Sequence, residues 1–153
     1  MTLGALTAGA LVAVLAIPAL APGHADHAKA QKVELTANMT GTAEVPGPGD
    51  ADGTGTADLT LNKKKKKVCF DITHQYLSPD EPFAGHIHEG GPTVAGPIVV
   101  PLFESPGAPS PISGCVKGVK KSLIKDIAKN PGEFYVNLHN TEFPAGAIRG
   151  QLK

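Results

Sequence analysis

With 153 residues the chain has room for one domain. Eighteen glycines, fourteen prolines, seven Phe and Tyr together and no Trp speak against a helical bundle and for a turn-rich β domain. A formal net charge of zero argues against nucleic-acid binding as the main task, which needs a basic surface, and two cysteines suffice for one staple but not for a disulfide scaffold.

Leu3 to Ala21 holds no charged side chain, is rich in Ala, Leu and Val, and has Pro18 near its end. Ala19-Leu20-Ala21 has the small-x-small form that signal peptidase accepts, so residues 1–21 read as a secretory signal; Ala28-Lys29-Ala30 is a second candidate cleavage site. No Lys or Arg precedes Leu3, and the apolar run is nearly long enough for a retained anchor. Membrane association is expected only in that case; otherwise the mature protein is secreted or sits at the cell surface. Residues 22–32, small and polar with His24 and His27, read as a flexible tether.

The folded domain is expected at 33–153. Val33, Leu35, Ala37 and Met39 alternate with Glu34, Thr36 and Asn38, as in a half-buried strand. Residues 41–55 form a Gly/Pro/Asp loop, in which Asp50, Asp52 and Gly53 make a turn rather than a calcium loop, since the later ligands are missing. A second strand runs from Thr54 to Leu61. Lys63 to Lys67 is an unbroken basic run that reads as a charged hairpin end resisting edge-to-edge pairing, or as an attractor of anionic polymers or lipids. Val68, Phe70 and Ile72 then alternate with Cys69, Asp71 and Thr73, and His74 falls at the core edge. A Pro-rich turn at 78–82 precedes the next strand. Ile98 to Phe103 is a continuous apolar run, which predicts burial on both sides or at a sheet junction. Cys115 and Val116 begin a short strand. Residues 122–129 read as one short helix, capped by Ser122 and stopped by Pro131.

Three stretches share a pattern. In Gly85-His86-Ile87-His88-Glu89-Gly90-Gly91, alternate side chains of a strand share a face, so His86 and His88 oppose Ile87. In Phe134 to Asn140, Tyr135, Asn137 and His139 oppose Phe134, Val136 and Leu138. In the last stretch Arg149 and Gln151 oppose Ile148 and Leu152, and Phe143-Pro144-Ala145-Gly146 is short enough to join these two strands as a hairpin. If all three are neighbours, His86, His88, His139 and Arg149 lie on one outer face, where alanine substitutions should cost little core.

Ala43-Glu44-Val45-Pro46, the segment from Gly85-His86-Ile87-His88 through Gly96-Pro97-Ile98-Val99, Tyr135 to Asn140, and Pro144 to Leu152 together resemble the CHRD domain, the module named after chordin and found also in bacterial secreted proteins. The resemblance covers about Val33 to Lys153. It implies an all-β, immunoglobulin-like Greek-key sandwich or barrel, similar at a distance to copper/zinc superoxide dismutases. No settled biochemical activity comes with it.

Imidazole suits copper or zinc, and His-x-His on a strand is a natural two-ligand arm. His86, His88 and His139 are therefore the candidate metal ligands, with Glu44, Glu89, Asn137 and Arg149 in support. The alternative is a hydrogen-bonded polar network that holds strand register. Metal affinity should fall as the pH drops through about 6.5, where free imidazole protonates. A superoxide-dismutase-like or other metal-dependent enzyme is the less favoured reading: the histidines are too few for a two-metal site, and Gly-x-Ser-x-Gly and His-Glu-x-x-His are both missing. The leading reading is an interaction module for an extracellular protein or polysaccharide. Cys69 and Cys115, at or near strands of an exported domain, are expected to pair as its disulfide.

Overall fold

The computed structural model describes Met1 and residues 32–77, 81–105 and 107–153. The expected signal at 1–21 and tether at 22–32 lie outside the described residues apart from Met1 and Lys32, as do residues 78–80 of the expected turn.

Among the described residues eight strands and one α-helix follow in chain order. They are β1 (Lys32–Thr40), β2 (Thr54–Asn62), β3 (Lys67–Gln75), β4 (Ala84–Glu89), β5 (Ile98–Glu104), β6 (Ile112–Lys117), α1 (Lys121–Lys129), β7 (Phe134–His139) and β8 (Ile148–Gln151). All pairings are antiparallel, in the order β5-β4-β7-β8-β1-β2-β3-β6. The two edge strands approach each other. Phe103 of β5 lies against Phe70 of β3, with ring centroids 6.2 Å apart, and Val99 and Val116 line one cavity between β5 and β6. The sheet is thus rolled into a nearly closed barrel. Around it the order is 1-2-3-6-5-4-7-8, and the connections from β3 to β4 and from β6 to β7 skip over neighbours in the manner of a Greek key.

Period-2 alternation builds the core. Ala37 and Met39 of β1, Leu59 and Leu61 of β2, Val68, Phe70 and Ile72 of β3, and Ile87, Val136, Leu138 and Ile148 from the other side of the barrel are all buried in one cluster. β8 runs close against β1: a Cβ on Gly150 would collide with the Asn38 carbonyl oxygen, so a side chain there would drive the two strands apart.

α1 packs Ile124 and Ile127 against the barrel beside Leu61 and Val33. It begins at Lys121, one residue before the expected start; Lys120 occupies the cap position without a side-chain bond, so Ser122 lies inside the first turn and does not cap it. Asn130 ends the helix, and Pro131 opens a 3-10 turn, as its missing N–H requires.

The apolar run at 98–103 is an edge strand and not doubly buried. Val100 and Leu102 point into the core while Ile98 and Pro101 are exposed. The outward side of β5 faces water, whereas β4 and β7 in the same sheet are buried on both faces.

The hairpin end at Lys63–Lys66 is as expected, a turn joining β2 to β3. Asp50 accepts a hydrogen bond from the Gly53 amide at 3.2 Å, which makes the 50–53 segment a turn. Cys69 and Cys115 face each other directly across β3 and β6 and form a disulfide that ties the edge strand to the sheet.

Candidate metal centre

β4, β7 and β8 lie side by side, and register turns strand parity into rows. His86, Asn137 and Arg149 form one row; His88, Tyr135 and Gln151 form the next; Ala84 and His139 form the third. Because Ala84 is small, nothing from β4 stands over His139, and its ring leans toward His86. The ring centroids of His86 and His139 are 4.9 Å apart, those of His86 and His88 5.6 Å, and those of His88 and His139 6.4 Å. One donor atom from each of the three imidazoles lies within 4.8 Å of the others.

This face is not the solvated outer face that parity alone predicts. His86, His88 and His139 are each 8% exposed and Arg149 is 1% exposed. Three connections roof the face. The 90–97 segment between β4 and β5 reaches over Tyr135, with the Gly96 amide donating to the Tyr135 hydroxyl at 3.2 Å. The turn before β8 places the Pro144 carbonyl against His139. The 44–50 loop is tied down where the Asp50 amide donates to the Ala147 carbonyl at 2.8 Å. Loops cover the face because their backbone carbonyls satisfy its ring nitrogens and guanidinium, which water would otherwise have to do.

Those bonds set the tautomers. A carbonyl only accepts, so Nδ1 of His88 donates to Gly96 O at 2.8 Å and Nδ1 of His139 donates to Pro144 O at 3.1 Å. In the neutral rings both Nε2 atoms then carry lone pairs. Nε2 of His88 is buried with no hydrogen-bond partner. Nε2 of His139 lies 3.0 Å from Nδ1 of His86 and 3.1 Å from Oδ1 of Asn137. It can take one proton, from His86. The amide oxygen then faces a lone pair, a contact that a cation, or the opposite amide orientation, removes.

Burial keeps all three rings neutral. It pushes His86 down from 6.5 to about 4, helped by the charges that His139 and His88 would carry. Burial likewise lowers His88 and His139, against the upward pull of their carbonyl partners. Neutral imidazole is the form that binds a metal.

The supporting residues divide. Asn137 is 2% exposed and sits among the rings. Arg149 lies on the same face, but its guanidinium is held elsewhere: its carbon stands 3.4 Å from the Tyr135 ring centroid, and its nitrogens donate to Gly91 O at 2.7 Å, Val94 O at 3.0 Å and Gln151 Oε1 at 3.0 Å. Glu44 is buried beside Gly146, with Oε1 unpartnered; burial raises its carboxyl to about 7 despite the nearby Arg149, and it stands outside the three-imidazole group. Glu89 is exposed and lines a different cavity, with Asp126 and Glu133. Its parity is that of Ile87, and at the strand end that side faces water, so it supports nothing at the histidines.

Tyr135 is the residue that the list of candidate ligands and supports omits. Its ring is stacked on His88 at 4.7 Å and 10°, and it carries Arg149. Parity already put Tyr135 on this face; its partners became visible only through the register of β4 and β8. His74, outside the group, is a core-edge residue as expected, bonded to Ala108 O at 3.3 Å and 3.4 Å from Glu81.

Searches of curated proteins and of solved structures returned no match. The family model of the CHRD domain matches residues 35–152. Every strand but the first three residues of β1 falls inside that span, as do all three histidines, and the chain belongs to the CHRD domain family.

Proposed function

We propose that this CHRD domain is an extracytoplasmic interaction module whose three imidazoles, His86, His88 and His139, take one copper or zinc ion. The observation that carries the reading is a set of three buried histidines, each offering a ring nitrogen within 4.8 Å of the others, with Nε2 of His88 buried and unpartnered. A lone pair buried without a donor costs about 1–3 kcal/mol, and a cation removes that cost. Two rings are already anchored through Nδ1 on carbonyls, the outer support that metal-ligating histidines normally have. Donors around a tetrahedral zinc or copper stand about 3.3 Å apart, so the group needs only a modest closure to bind. Pro144 would orient His139 through Nδ1, Asn137 Oδ1 would border the ion's place, and Arg149, held at Tyr135 and the 90–97 carbonyls, is kept from competing for that place. The bound ion would pin β4 to β7 beneath the loops and supply a Lewis-acidic centre.

The test is metal content and calorimetry on folded protein at neutral pH. The expected outcome is one copper or zinc per chain, lost in His88→Ala/His139→Ala. Since these rings are buried, the double variant should also lose on the order of 1–3 kcal/mol of stability while keeping its β-sheet circular dichroism. Wild-type protein that takes up neither metal would leave the hydrogen-bonded network as the role of the three rings.

A further inference from the structure

The lysines of this neutral protein are not spread over its surface. Among the described residues, every lysine except Lys153 belongs to one end of the barrel. Lys32 starts β1 opposite Asn62, the Lys63–Lys66 turn follows, Lys67 pairs directly with Lys117, and the Lys66 carbonyl accepts from the Val119 amide at the entry to α1. On α1, Lys121, Lys125 and Lys129 recur every fourth residue and form one exposed stripe.

This clustering works against stability. Like charges directly opposite on a ladder, and at i,i+4 on a helix, both destabilise. Among the described residues no lysine forms a salt bridge; the one ionic contact is His74 with Glu81. A hairpin end needs one or two charges to discourage edge pairing. Five in the turn and its flank, continued onto β6 and along a helix, exceed that need.

The stripe also borders a groove. A cavity of about 280 Å³ has Lys63 on one wall, Lys125 and Lys129 on the other, and an apolar floor of Val33, Leu61, Ile124 and Ala128. Cations on both walls suit an extended polyanion lying along the groove. A bilayer suits it poorly. Bilayer-docking faces present Trp, Phe or Leu for insertion, and among the described residues the exposed large apolar side chains Met1, Tyr76, Phe83, Val94 and Ile98 all lie outside the lysine-bearing elements.

We propose that this end of the barrel docks an acidic polysaccharide, a carboxylated or sulfated chain of the cell surface or matrix, in the groove between Lys63 and the Lys125/Lys129 stripe. The choice of polysaccharide rests on the extracytoplasmic reading but not on metal binding at the histidines, so the measurements are made on both metal-free and metal-treated protein.

The experiment uses immobilised heparin, alginate and neutral dextran as probes, with phosphatidylglycerol and phosphatidylcholine vesicles alongside. Wild-type protein, with an isoelectric point near 7.0, should be retained by heparin and alginate at low salt and pass through dextran. Lys63→Gln/Lys125→Gln/Lys129→Gln should bind about tenfold or more weaker, and the slope of log affinity against log salt should fall by roughly 2–3. All three side chains are exposed, so the variant should melt like wild type. Thr73→Glu/Gln75→Glu/Thr141→Glu makes the same charge change at exposed positions away from this end and should leave retention unchanged. Equal losses in the two triple variants would overturn the proposal by reducing it to net charge. Passage of wild type through both acidic columns would overturn it outright, and tighter binding to phosphatidylglycerol vesicles than to either polysaccharide would reassign the face to lipid.

Discussion

His88 and His139 show how little freedom a buried ring has. Each commits one nitrogen to a carbonyl and turns the other inward, and together with His86 they are held neutral. This moves the pH window expected from free imidazole: proton competition for a metal should set in below 6.5, not at it. It also makes metal-free stability depend on pH. A histidine with a lowered folded pKa contributes stability that is fully present above its unfolded value and lost as the pH falls toward the folded one. A carboxyl with a raised folded pKa does the reverse; the contribution of Glu44, at about 7, is present below about 4.5 and lost as the pH rises to 7. Between about 4.5 and 6.5, His86 and Glu44 oppose and nearly cancel, so the net rise with pH comes from His88 and His139. Glu44→Gln removes the opposition, and its stability should climb more steeply over that window, by up to about 1.4 kcal/mol per pH unit. Urea midpoints at half-unit steps would check this. A variant curve parallel to wild type would show that Glu44 is not the opposing group.

At the scale of elements, two devices add to the strand ladder without crossing the open seam between β5 and β6. One is the 90–97 segment, drawn onto β8 by Arg149 and by Gln151, whose amide donates to Gly90 O at 3.0 Å, Gly132 O at 2.8 Å and Phe134 O at 3.2 Å. The other is the disulfide, which fixes edge strand β6 to β3. It joins residues 46 apart, and chain entropy for a loop of that size gives about 4 kcal/mol. Cys69→Ser/Cys115→Ser should therefore unfold at a clearly lower denaturant concentration, with a steeper dependence on denaturant because the uncrosslinked unfolded chain exposes more surface. Two free thiols by mass spectrometry in protein purified without reductant, or coincident unfolding curves, would refute the assignment.

The whole molecule carries a core inside the barrel, a second, polar layer outside β4, β7 and β8, and a lysine-rich end. Among the described residues no helix is long and apolar enough to cross a membrane. β1 starts at Lys32 beside the lysine turn. On the export reading, N-terminal sequencing of native protein should begin between Pro22 and Gln31. Intact Met1 recovered from a cytoplasmic fraction would contradict it.

Much of this architecture is local and was legible in the sequence. Alternation placed His86 and His88 opposite Ile87, and Tyr135, Asn137, His139 and Arg149 opposite the apolar core, because side-chain direction along a strand has a period of 2. The β7–β8 hairpin followed from its short turn, and the pairing of Cys69 with Cys115 from the lack of a competitor. Three matters were decided only by tertiary structure. That β4 lies against β7, 45 residues away from start to end of the gap between Glu89 and Phe134, is a long-range pairing that no local pattern encodes. That the histidine face is roofed depends on where the 44–50 and 90–97 loops fold back, and periodicity names a face without naming what covers it. That Glu89 turns to water while Glu44, far away in sequence, is buried beside Gly146 has the same cause: burial of a side chain is set by its neighbours in space, which the chain acquires only once the barrel has closed.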